Sequence, residues 1–143
     1  MTESIKIRHI STWMLLACGL WLVSLGLYFI FLRPSLLPED TRFMGSSLEQ
    51  VRVVVPGLEG WLKRVFIVMG GFTAGAGVLT IYVARVVMPL RLSGASWAIA
   101  LAGVLTVVLM ASINFNLRSD FRWLLLVPVI VWLAGFVLYV ARR

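Results

Sequence analysis

Apolar residues run in four long uncharged intervals, between Arg8 and Arg33 (His9 taken as neutral), Arg64 and Arg85, Arg91 and Arg118, and Arg122 and Arg142. Each is 19 residues or longer. At about 1.5 Å per residue, some twenty helical residues cross the roughly 30 Å hydrocarbon core of a bilayer. Lipid offers backbone amides no partners, so a span must be helical or belong to a closed barrel. Barrel strands alternate apolar and polar residues, and these runs do not. The pattern predicts an all-α polytopic membrane protein, four transmembrane helices in one antiparallel bundle. The expected helices cover 11–32, 58–85, 96–115 and 121–141 of a single domain spanning 1–143, with an extramembrane loop over 33–57.

The second run centres on VFIVMGGFTAGAGVLTIYVA, residues 65–84, with four glycines among its twenty residues. A step of about 100° per residue gathers Gly70, Gly71, Ala74, Gly75 and Gly77 on one side. Val68, Phe72, Leu79 and Val83 fall on the other. Gly71 and Gly75 make a small-xxx-small pair, which lets a second backbone approach closely. That side suits a seam against another helix of the same chain, a homodimer seam or a pore-lining face. Gly19 and Gly26, seven apart on one face of the first run, can receive it.

The first run ends in aromatic residues, Arg33 and Pro34 rather than a small-residue cleavage site, so it reads as an uncleaved helix. Pro34 and Pro38 stop that helix by removing amide donors. In the loop, Ser46 with Glu49 three residues on fits a capping box. Met44, Leu48, Val51 and Val55 share one helical side, which suggests a short helix lying on the membrane surface. Residues 51–55 are β-branched at four of five positions, so an extended segment is the rival. Pro56-Gly57 closes the element. Ala98, Ala102 and Thr106 give the third helix another close-approach edge. The tight turn at 115–122 makes helices three and four antiparallel neighbours. Asp120 is placed to cap the last helix, and Pro128 to bend it. Trp13, Trp61, Trp97 and Trp123 fall near the four helix starts, where indole rings favour headgroups.

The formal charge of +7 does not point to nucleic acid, because the thirteen basic residues are scattered among helix ends. There they can meet lipid headgroups. Four spans put both termini on one side with the second loop. That side carries Lys6, Arg8, Arg85, Arg91, Arg142 and Arg143. The other carries Arg33, Arg42, Arg52, Lys63, Arg64, Arg118 and Arg122, spread over a longer loop with five acids. The two counts nearly tie and acids carry little weight in the basic-residue rule; the expectation is termini in the cytoplasm of a bacterial inner membrane, with insertion in both orientations as the alternative. Cys18 is the single cysteine, so no intrachain disulfide forms. The single histidine, His9, cannot build a metal cluster or a bis-His haem site alone, and an interfacial place ahead of the first helix suits it. No cofactor is implied.

Loops one and three emerge on the same face. Glu39, Asp40 and Arg42, with Glu49 as a further candidate, can therefore meet Asn114, Asn116, Arg118, Asp120 and Arg122. Carboxylates beside arginines can hold an anionic headgroup, work as acid and base, or simply pair to fix helix ends. The chain has no HExxH, Ser/His or Cys/His arrangement and no phosphate-binding glycine loop. No charge falls in the middle of a predicted helix, which counts against proton- or ion-coupled carriers. The interior polar residues Ser24, Thr73, Thr80, Thr106 and Ser112 can each bond back to their own helix.

The stretch Leu32-Arg33-Pro34-Ser35-Leu36-Leu37-Pro38-Glu39-Asp40, followed by Pro56-Gly57-Leu58 and Gly70-Gly71, resembles uncharacterised small bacterial four-helix integral membrane proteins. The resemblance spans the first loop and second helix and implies no activity. The expected role is a non-catalytic membrane protein, self-associating or an accessory subunit of a membrane complex. The alternatives are a small lipid-binding or transport protein using the loop-one and loop-three cluster, and a membrane enzyme using Glu39 and Asp40. The expected partners are the bilayer and a homo-oligomer or larger complex, with no nucleic acid.

Overall fold

The structure, a computed structural model, describes residues 2–92 and 94–141, with side chains from Ile10 onward. The expectations placed on the side chains of Lys6, Arg8 and His9, and on Arg142 and Arg143, lie outside the described residues.

Among the described residues six helices follow in order: α1 (Thr2–Phe31), α2 (Pro38–Met44), α3 (Leu48–Val54), α4 (Leu58–Leu90), α5 (Ala95–Asn116) and α6 (Arg122–Val140). Four of them, α1, α4, α5 and α6, are long and apolar enough to cross a membrane, and this is an integral membrane protein. Trp61, Trp97 and Trp123 face outward near the starts of their helices, and Trp13 faces outward near the start of the apolar part of α1 at Ile10, as headgroup anchors would. The α1 helix begins well before residue 11, because no proline or glycine interrupts residues 2–18. The α4 helix runs past Arg85 to Leu90 through a π turn at Val83–Val87. Pro89 has no amide for the carbonyl one turn back, and its ring presses on that turn. The wider turn just before it takes up the clash. A second π turn, Val104–Val108, lies inside α5. Helix α6 continues through Pro128.

The spans are arranged around α1. Helix α4 packs along one side of α1, α6 packs on another side of α1, and α5 packs on α6. Helices α4 and α5 follow one another in the chain yet barely touch, so the bundle is open between them.

The α1–α4 seam is built on glycine. A methyl on Gly26 would stand 2.5 Å from the Gly70 carbonyl oxygen, and one on Gly70 would stand 2.6 Å from that of Gly26. Seven residues away the arrangement repeats: Gly77 meets the Gly19 carbonyl, and Gly19 meets that of Gly77. Four glycines in two antiparallel pairs thus let the backbones approach within reach of weak Cα–H···O contacts. The sequence expectation that Gly19 and Gly26 receive the glycine side of helix two holds. The side itself is narrower than expected. Gly70, Ala74 and Gly77 lie on the seam, whereas Gly71 and Gly75 face outward with nothing within 4 Å.

On the other flank, Trp132 of α6 is buried and fills the space left by Gly103 of α5, and its ring stacks on Phe136 at 5.6 Å. Thr73, Thr80, Thr106 and Ser112 each donate to a carbonyl one turn back on their own helix.

Candidate functional site

The loop-one and loop-three residues do meet, and most of them close on one another. Leu37 starts α2, and Pro38 fits at the first helical position, where its missing amide costs nothing. Asp40 reaches back to the Leu37 amide at 2.7 Å and caps that helix. This orients Glu39 toward the turn before α6. There its carboxylate accepts from the Ser119 hydroxyl at 3.1 Å and from the Asp120 amide at 2.8 Å. Ser119 is buried, and its oxygen also accepts the Phe121 amide at 3.1 Å. One hydroxyl therefore joins the first loop to the entry of the last helix.

Around this latch the charges pair off. Arg42 reaches both carboxylate oxygens of Asp120 at 3.2 Å. Asp40 takes Arg33 at 3.4 Å, and the Arg33 guanidinium lies 3.6 Å from the centroid of the Phe66 ring. That contact sets a desolvated cation on an aromatic face. Arg122 donates to the Ser119 carbonyl at 3.3 Å. Of the other expected members, Asn114 donates back to Met110 on its own helix. Asn116 and Arg118 are exposed and stand apart from this network. The latch thus unites Glu39, Asp40, Arg42, Asp120 and Arg122, and adds Ser119 and Arg33.

Three local expectations are corrected. Asp120 does not cap the last helix, which starts at Arg122 without a side-chain cap: the Ser119 hydroxyl accepts the amide of Phe121 just ahead of the first turn, and Asp120 is drawn away to Arg42. The capping box in the first loop is Ser47 with Gln50, one residue later than Ser46 with Glu49. Residues 51–54 are helical rather than extended, because that box starts a helix which buries Val51.

The latch has little chemistry left to offer. Glu39 already accepts two donors and Asp40 is capped and ion-paired. A carboxylate so engaged is a poor base without first breaking the loop contact. Among the described residues, no three His, Cys, Asp or Glu groups converge as a metal site would require. A second surface offers more. Val68, Gly71, Gly75, Val78 and Tyr82 recur at alternating spacings of three and four, all exposed on one stripe of α4. That spacing is the one found along the contact face of paired helices. No protein-family model matches the chain, and neither a curated protein nor a solved structure matches it.

Proposed function

We propose that this is a non-catalytic membrane protein that pairs with a second copy of itself through the outward stripe of α4. The observation that carries the reading is the bare environment of Gly71 and Gly75, with nothing within 4 Å of either. Glycine inside a helix costs roughly 1 kcal/mol relative to alanine. At Gly70 and Gly77 the close α1 contact offsets that cost. At Gly71 and Gly75 one chain alone supplies no contact. A second helix would, because small residues in lipid let backbones approach and gain dispersion. The same helix is the least covered of the four spans, with 11% of its apolar window buried against 22–33% for the others.

Two copies inserted in the same orientation relate by a two-fold axis along the membrane normal, so each stripe residue faces its own counterpart. The paired latch supports a structural role for loops one and three, holding the helix ends while α4 stays free to associate. Purification in mild detergent followed by mass measurement tests the reading. The expected species is a dimer that Gly71→Leu with Gly75→Leu converts to monomer. A lone monomer in the unaltered protein overturns it. The accessory-subunit reading gains if the mass instead contains a different protein.

A further inference from the structure

We propose that the open gap between α4 and α5 holds one acyl tail of an anionic phospholipid from the leaflet on the loop-one side. The gap face of α4 is a second stripe, distinct from the pairing stripe: Leu62, Phe66, Met69, Thr73, Ala76 and Thr80 all line cavities along it. The largest of these three, about 400 Å³, is walled across the gap by Leu105, Thr106, Leu109 and Ile113 of α5. Leu105 and Thr106 belong to the π turn, a local widening often found beside functional surfaces.

Size selects the occupant. A twenty-residue helix about 10 Å across fills roughly 2,000 Å³, several times this cavity. A single tail is thinner. From Phe66 to Ala76 the wall rises about 15 Å, the depth of one leaflet's hydrocarbon. Polarity agrees. Thr73, Thr106 and Asn114 on these walls already donate to carbonyls of their own helices. A polar solute would find few partners there, and a hydrocarbon tail needs none.

Charge selects the headgroup. Among the described residues on the loop-one side, three ion pairs engage Arg33, Arg42 and Arg52. Lys63, Arg64, Arg118 and Arg122 remain outside ion pairs, against the carboxylates of Glu39 and Glu49. Glu39 is further held by Ser119 and Asp120. The exposed Arg118 directly follows Leu117, which lines the mouth of the gap together with Leu62, Phe66 and the latch carboxylates Glu39 and Asp40, the latter two already held by Ser119, the Asp120 and Leu37 amides and Arg33. A lipid phosphate at that level meets an excess of positive charge, with long side chains able to reach it. The headgroup contact is therefore assigned to Arg118, with Lys63 at the same level, and not to the closed latch.

The test uses the unaltered protein in vesicles containing phosphatidylglycerol with a photoactivatable group in its acyl tail. Labelling should concentrate on residues 69–76 and 105–113, at least about threefold above residues 129–137 of α6, which also face lipid. Even labelling over all exposed faces overturns the proposal. So does weaker labelling of residues 69–76 and 105–113 than of residues 129–137, which would mean that a second helix fills the gap. In vesicles mixing phosphatidylglycerol and phosphatidylcholine, Arg118→Gln should lower the preference for the anionic lipid about fivefold, the weight of one cation at a membrane surface. An unchanged preference overturns the headgroup assignment. Because the gap and the pairing stripe lie on different sides of α4, Gly71→Leu should leave the labelling pattern unchanged, so failure of pairing and failure of lipid binding separate.

Discussion

Replacing Gly70 by alanine would put a methyl carbon 2.6 Å from the Gly26 carbonyl oxygen, 2.7 Å from Ile30 Cγ1 and 3.0 Å from Phe29 Cβ. Two of these neighbours, the Gly26 carbonyl and Phe29 Cβ, belong to or adjoin the backbone, so they cannot swing aside. Ordinary contact begins near 3.4 Å, and α1 and α4 must therefore part by most of an ångström at that level. A gap of about 0.5–1 Å forfeits a quarter to a half of each neighbouring dispersion contact. Overpacking of this kind costs about 1–3 kcal/mol. Alanine returns at most about 1 kcal/mol through its better helix propensity. With that return in full, the net expectation for Gly70→Ala is a loss centred near about 1 kcal/mol, within about 0–2 kcal/mol. Gly71→Ala, one residue along, gains the propensity and meets nothing within 4 Å, so its expected change is zero or slightly stabilising. The two variants should differ by about 2 kcal/mol, roughly thirtyfold in the folded-to-unfolded ratio. Reversible unfolding in mixed micelles, at dilutions where chains do not associate, measures both. Equal stability of the two variants would refute the glycine seam, because no other arrangement of α1 and α4 gives neighbouring glycines opposite signs for this reason.

Three further outcomes follow from the same contacts. Gly103→Ala would drive a methyl into the Trp132 indole; a loss of about 1–3 kcal/mol with altered tryptophan fluorescence is expected, and a spectrum like the parent's would contradict that packing. Ser119→Ala removes the hydroxyl that Glu39 and the Phe121 amide share. It should cost about 1–3 kcal/mol and speed amide exchange in α2, whereas unchanged exchange would mean that the latch does not hold the loop. Arg42→Ala breaks an ion pair whose side chains are 61% and 67% exposed, so unfolding should shift by under about 1 kcal/mol; a larger loss would place that pair, rather than Ser119, at the centre of the latch.

The four spans were legible because charge-free length is a coarse property that tertiary detail does not override. The antiparallel α5–α6 pair was legible from its tight turn, and the match of Gly19 and Gly26 to helix two from spacing alone. Which glycines of helix two meet helix one was not legible. Gly70 and Gly71 differ by about 100° of rotation, and only the position of the partner backbone decides between them. Ser119 was missed because a lone serine in a polar turn carries no spacing signal, and its burial comes from α2 folding over it. The capping box slipped by one residue because adjacent serines, followed by adjacent Glu49 and Gln50, satisfy the same pattern twice. The open α4–α5 gap was hidden for a different reason. Ala98 and Ala102 have the look of a packing edge, and whether a helix stands opposite depends on how α1 distributes its neighbours.

Association through the outer stripe of α4 is tested most directly by Val78→Cys in native membranes under mild oxidation. Val78 is 57% exposed on the stripe, and Cys18 is buried. A disulfide-linked dimer from Val78→Cys, with none from Val137→Cys on α6 or from the unaltered chain, is the predicted result. No dimer from Val78→Cys, or equal yields from both positions, would contradict it.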